Sequence, residues 1–302
     1  MIYLKEITIP NKRQEEGYLN DMRRTCYLSK YPFQVLWNKE LYNFKFNDIT
    51  IFSGSNGSGK STLLNIIANK LELRRITPYN RTALYEDYLD LCHVDVSYDE
   101  YDYPFDIKNN SKIITSDDVF DYMLQLRIKN DNIEDMRRKM LDKHKDYNYA
   151  LVPHPTSIDF DKPETVSKYC QYAEMLKKTG SRYVRDNLGF DIIEHSNGEN
   201  GFHYFVDAIQ ENCLYLLDEP ENSLSAELEL ELAKYIAIMA RYYKCQFIIA
   251  THSPFLLAID NALIYDLDQT PIQISKWSQL SNMKLYHSFF KEHESDFEKS
   301  DN

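Results

Sequence analysis

The sequence predicts an α/β protein: a mostly parallel sheet flanked by helices, with an antiparallel β portion at the N-terminus and a helical insertion. Three observations point to this. The apolar run "DITIFSG" ends in glycine and leads straight into "KSTLLNIIANKLEL", whose apolar residues recur at helical spacing. Two further apolar runs, "CLYLLDE" and "CQFIIATHS", flank the helical pattern "SAELELELAKYIAIMARYYK". Uniformly apolar strands alternating with helices mark a parallel sheet, because the crossover helices cover both of its faces.

In chain order, "MIYLKEITIP" alternates apolar and polar residues, and "FQVLW", "LYNFKF" and "DITIFSG" follow as further strands. Residues 78–190 differ in character and read as an insertion between two halves of one core, 1–77 and 191–290. Its first part, Tyr85 to Asp106, carries eight carboxylates and no Lys or Arg. That run reads as a solvated face or mobile loop, with metal binding or docking of a basic partner as the alternatives. "DDVFDYMLQLRIKN" and "DMRRKMLDKHK" then read as helices. Beyond residue 190 the α/β rhythm returns; Ser225 marks a helix start, and "ALIYDLD" and "PIQISKW" read as strands. Residues 291–302 form a polar tail expected to fray.

Bulk properties bound the function. At 302 residues, 43% hydrophobic and 27% charged, the chain can bury a substantial core as a soluble globular protein. It has no apolar run of about 18 residues, so no membrane insertion is expected. "MIYLKEITIPNKR" lacks a basic segment followed by an apolar one, so no signal peptide is expected. The five cysteines are scattered without a CxxC, which favours reduced thiols in a cytoplasm. A net charge of −12 argues against coating nucleic acid but leaves a local basic groove open.

"GSNGSGKS" satisfies the phosphate-loop pattern G-x-x-x-x-G-K-[ST] between a strand and a helix. Backbone N–H groups of Gly54, Ser55, Asn56, Gly57, Ser58 and Gly59 must converge on phosphate oxygens, which side chains at the glycines would obstruct. The next helix offers its positive end to the anion. Lys60 brings a mobile charge to the β- and γ-phosphates, Ser61 a hydroxyl to Mg²⁺, and Thr62 extends the motif. A triphosphate and Mg²⁺ are therefore the expected ligands.

"CLYLLDEPENS" places Asp218 and Glu219 at a strand's C-terminal end, the edge where open α/β sheets bind ligands. With Asp218 near Ser61, it would hold the metal while Glu219 polarises the attacking water. "FIIATHSPF" sets His252 at another strand end, where it can hydrogen-bond the γ-phosphate.

Taken in order, "GSNGSGKST", "SNGE", "LYLLDEPENSLS" and "ATHSPF" resemble the ABC-class ATPases. They look closest to a soluble bacterial branch related to RecF-like and SMC-like heads. The resemblance covers residues 31–85 and about 190–275 and only weakly the insertion, around "ITSDDVFDYM". It implies a homodimer packed head to tail with ATP between the protomers. "SNGE" then takes the signature position: Ser196, Asn197, Gly198 and Glu199 would act on the partner's ATP, with a helix beginning near Glu199. "ENSLS" matches the D-loop, making Ser223 and Ser225 the residues to examine. Glu221 stands where transporter ATPases usually carry Thr, and the signature ends in Glu rather than Gln; both departures favour the soluble branch.

"TSDDVF" and Gln125 are both candidates for the glutamine loop, and Tyr31 and Phe33 for stacking on adenine. The resemblance implies an ATP hydrolase that controls a protein effector such as a nuclease or toxin, in DNA repair or phage defence. Nucleic acid is a further candidate partner through "RRKMLDKHK", Arg137 to Lys145. Two other readings stand beside it: the nucleotide-binding subunit of a membrane permease, and an ATP-binding regulator that does not hydrolyse.

Overall fold

The computed structural model describes residues 1–22, 29–98, 107, 111–149, 184 and 197–298. It divides into two compact units, one formed by 1–120 with 196–302 and the other by 121–195.

The first unit is built on a six-stranded sheet of order β5-β6-β7-β3-β8-β9. Its strands are β3 (Ile49–Ser53), β5 (Lys112–Thr115), β6 (Leu214–Asp218), β7 (Gln246–Ala250), β8 (Leu263–Asp266) and β9 (Gln273–Ile274). All neighbours run parallel except β8 and β9. Every residue of β3 and β7 is buried, as a strand covered on both faces requires. Helices α2 (Lys60–Lys70) and α6 (Ala226–Tyr242) belong to this layer. Leu63, Leu64, Ile66 and Ile67 of α2 are fully buried, so its apolar residues close the core rather than form one stripe. The Ser225 hydroxyl accepts from the Leu228 N–H and caps α6, as its sequence position suggests.

Against this sheet stands a small antiparallel one of order β2-β1-β4, formed by β2 (Asn43–Lys45), β1 (Leu4–Thr8) and β4 (His93–Val96). Gln246 of β7 joins the two. Its Oε1 accepts from the N–H groups of Tyr3 and Leu4, and its Nε2 donates to the carbonyls of Leu4 and Asn47. A fully buried amide is tolerated here because all its bonds are made.

Several expectations change. "FQVLW" is not a strand: residues 33–37 form turns, with Gln34 at φ 69°. Its apolar character serves packing instead, since Phe33 and Leu36 are buried in the core. The N-terminal portion also contains a helix, α1 (Lys12–Asp21), opened by a capping box in which Asn11 and Gln14 satisfy each other's backbone. The acidic stretch is ordered in its described part, as α3 (Tyr85–Asp90) and β4, because Tyr85 and Tyr88 insert into the core while the carboxylates stay outside; residues 99–106 lie outside the described residues. With β4 and β5, residues 78–120 therefore contribute strands to both sheets. The two helical patterns of the insertion form one helix, α4 (Ser116–Tyr149). After α5 (Asn197–Ala208) and the short α7 (Pro254–Leu257), the chain ends in α8 (Ser281–Glu292) and α9 (Glu294–Glu298), so the described part of the tail is helical rather than frayed.

Candidate functional site

The C-terminal ends of β3, β6 and β7 lie side by side: Phe52 is level with Ala250, and Asp218 with Ala250. The loops leaving these strands must therefore meet. From β3 the chain enters the loop Gly54–Gly59, and α2 begins at Lys60. Gly59 sits at φ 104°, where any other residue would be strained, and a Cβ there would come 2.6 Å from Leu36 Cδ2 and push that side chain aside. Asp268, just beyond β8, ties the loop down by accepting from both the backbone N–H and the hydroxyl of Ser55. A cavity of about 360 Å³ opens over the loop, lined by Val35, Asn56, Gly57, Lys60, Ser61 and Glu219 among others.

Lys60 is 4% exposed. Its Nζ donates to the carbonyls of Gly54 (2.8 Å) and Ser55 (3.2 Å) and lies 2.8 Å from His252 Nε2. Burial pulls its pKa down, and the carboxylates of Glu219 and Asp218 oppose this. The Ser61 hydroxyl donates to Asp218 Oδ1 at 3.0 Å. Burial pushes the Asp218 carboxyl up to about 6; the Ser61 bond opposes the shift and neighbouring Glu219 adds to it.

Glu219 adopts a left-handed conformation, φ 48° and ψ 54°. For a non-glycine residue this costs about 1 kcal/mol, a strain that collects at functional sites. The conformation is held by its N–H on the Ala250 carbonyl (2.8 Å) and by Asn222, whose amide donates to Glu219 Oε2 at 3.0 Å. It brings Oε1 to 4.0 Å from Lys60 Nζ and 3.5 Å from His252 Nε2.

The structure thus gathers Lys60, Ser61, Asp218, Glu219 and His252 within one chain. An ammonium, a serine hydroxyl and an aspartate at the mouth of a backbone cradle form a donor set that fits a phosphate and a hard divalent cation such as Mg²⁺. The signature residues stand apart in kind: Asn197, Gly198 and Glu199 open α5, which begins two residues before the expected start, and Ser196 lies outside the described residues.

Phe33 is excluded as a base-stacking residue, since it is 2% exposed and packs between the rings of Tyr18 and Tyr88. Tyr31 is half-buried beside the loop, its hydroxyl 3.3 Å from Thr62 Oγ1. Of the glutamine-loop candidates, Asp118 in "TSDDVF" is committed to the backbone of Thr77 and Thr115, and Gln125 belongs to the second unit.

Asn222 and Asp268 escape a reading of the sequence. Asp268 follows an apolar strand much as Asp218 does, which is a usable signal; Asn222 carries none, because its partner is set by the turn.

A profile of the family described as "AAA domain, putative AbiEii toxin, Type IV TA system" matches residues 204–258, the segment from α5 through α7 that carries Asp218, Glu219 and His252. The architecture is the mostly parallel, helix-flanked sheet with an N-terminal antiparallel portion that the sequence predicts. Similar solved structures include the Smc head domain with an extended coiled coil bound to the C-terminal domain of ScpA, from Pyrococcus furiosus. It is 14% identical, with a TM-score of 0.43, over 96% of this chain and 100% of that one. Another is a nucleotide-free ATP-binding cassette from an ABC transporter, 18% identical, with a TM-score of 0.41, over 95% and 96% of the two chains. No curated protein matches the chain.

Proposed function

We propose that the chain hydrolyses ATP and works as an ATP-dependent dimerisation switch on a protein effector. The observation that carries this is the 3.0 Å bond between Ser61 and Asp218 beneath the phosphate loop, with the Glu219 carboxylate beside Lys60. Ser61 and Asp218 would hold Mg²⁺, which when bound neutralises phosphate charge.

The chain's own groups supply the rest. Backbone N–H groups of Gly54–Gly59 and the start of α2 bind the phosphates. Lys60 exchanges its carbonyl partners for phosphate oxygens. Glu219 orients a water for attack on the γ-phosphorus; the bond to the β-bridging oxygen breaks, and the water's proton passes to the carboxylate. His252 contacts the γ-phosphate. In a second copy, Ser196 and the residues Asn197–Glu199 that open α5 would close on the same phosphate, so that ATP bridges the protomers and hydrolysis releases them.

The description of the matching family bears on the effector: a toxin of a toxin–antitoxin pair suits a switch of this kind. No helix among the described residues is long and apolar enough to cross a membrane.

The test is Glu219→Gln. Turnover should fall by about 10³-fold, while ATP and Mg²⁺ convert the variant to a dimer by light scattering. A rate equal to the wild type's would remove Glu219 from its role, and wild-type ATP turnover no higher than that of Lys60→Ala would refute the ATPase reading.

A further inference from the structure

Glu221 has no part in the chemistry above, yet it reaches further into the site than its sequence position suggests. It lies in the 3-10 turn Pro220–Ser223 that comes after Glu219. Its Oε1 accepts from Thr251 Oγ1 at 2.7 Å, from the His252 N–H at 2.6 Å and from the Ser253 N–H at 3.2 Å. These are the residues immediately after β7. Ser253, fixed at that point, gives its hydroxyl to Glu229 Oε2 on α6 at 2.5 Å and accepts from Phe255 and Leu256 at the start of α7. The backbone on either side of His252 is therefore clamped, and only its imidazole reaches the site.

The same four-residue turn holds Glu219. Asn222 grips the Glu219 carboxylate, and Glu221 grips the backbone of His252. The turn itself is packed closely: a Cβ on Gly201 of α5 would meet Leu224 Cδ2 at 3.3 Å and the Ser223 carbonyl at 3.4 Å. Satisfying two loop N–H groups alone would need no carboxylate from another element. A carboxylate reaching across from this turn makes the positions of Glu219 and His252 depend on one another.

We propose that Glu221 is a positioning residue that acts through His252, locking the imidazole in place beside Lys60 and Glu219 and tying it to the turn that carries Asn222. This rests on the ATPase reading of the site. It makes the 220–223 turn the element through which a displacement at α5 would reach both side chains at once, because packed contacts transmit discrete shifts rather than absorb them.

A double-mutant cycle tests it on the full chain. Glu221→Ala should lower kcat by about 10- to 100-fold, the loss expected when a reacting group is misplaced by about an ångström. The Kd for ATP should stay within about threefold, because the phosphate loop is untouched. Glu221→Gln keeps an acceptor oxygen and should recover kcat to within about threefold of the wild type. In a His252→Ala background, Glu221→Ala should cost nothing further, since groups acting as a unit are not additive. A kcat for Glu221→Ala within about twofold of wild type, or independent losses in the double variant, would overturn the proposal.

If Glu221→Ala does not fold, Glu221→Asp, which keeps the charge and withdraws the oxygen by one methylene, carries the same comparison with His252→Ala. Imidazole NMR gives a readout free of turnover. Glu221→Asp should shift the His252 resonances and leave those of exposed His93 in place. Unmoved His252 resonances would sink the inference even if the protein hydrolyses ATP. Conversely, shifted resonances in a chain without ATPase activity would refute the ATPase reading and leave the Glu221–His252 link standing.

Discussion

Lys60 Nζ and His252 Nε2 stand 2.8 Å apart, joining the phosphate loop after β3 to the loop after β7. With the Gly54 and Ser55 carbonyls, this contact surrounds the buried lysine with three polar partners. On the proposed reading a phosphate would replace some of them, so that nucleotide binding would exchange hydrogen bonds rather than fill an idle site.

Lys60→Ala should therefore weaken ATP binding by about 100-fold or more, the cost of losing charge-assisted bonds in a buried setting. Isothermal titration checks this, and unchanged circular dichroism separates it from misfolding. Affinity within about threefold of wild type would show that Lys60 does not meet the phosphates.

Asn222→Ala should free the Glu219 carboxylate from its 3.0 Å partner while leaving Lys60 and Ser61 as they are. Turnover should drop by about tenfold, one hydrogen bond's worth of positioning, with ATP affinity unchanged. Steady-state kinetics beside equilibrium binding distinguishes this from a general loss of the site.

Gln246→Leu keeps the volume of the buried side chain and removes its four bonds to Tyr3, Leu4 and Asn47. Leaving backbone N–H and carbonyl groups unpaired between the two sheets should cost about 3 kcal/mol. Urea denaturation measures it, and a loss below about 0.5 kcal/mol would mean the sheets are not joined there.

Glu15 predicts a pH dependence of stability. It is fully buried on α1, accepts the Gln34 N–H at 2.6 Å, and faces Tyr88 and Cys92. Burial pushes its carboxyl up to about 7 from an ordinary 4.5. Between those values the folded chain keeps a proton that the unfolded chain has lost. The contribution is complete below about 4.5 and is lost as pH rises through 7. Glu15→Gln has no such proton, so its stability relative to wild type should rise from about pH 5 to about pH 8 in denaturant titrations. A flat difference would contradict this. Because Gln34 precedes Val35 at the wall of the cavity over the Gly54–Gly59 loop, the same bond also steadies the loop that borders that cavity.

Residue order alone is enough for the parts that local pattern dictates. A glycine-rich turn between an apolar strand and a helix has few uses. Apolar strands ending in Asp218–Glu219 and in His252 announce a ligand edge, because only that edge of a parallel sheet gathers strand ends and helix starts together. Even α1 has its mark in the Asn11–Gln14 capping box, although the alternating run before it suggests strands. Packing in three dimensions sets the rest. "FQVLW" has strand chemistry, but its apolar side chains are satisfied by burial under a turn, and periodicity does not distinguish the two. That Asn222 holds Glu219, that Asp268 ties down Ser55, and that Glu221 clamps His252 are pairings between elements far apart or sharply turned. Their distances are set by strand order and a left-handed residue at 219, neither of which leaves a mark in residue spacing.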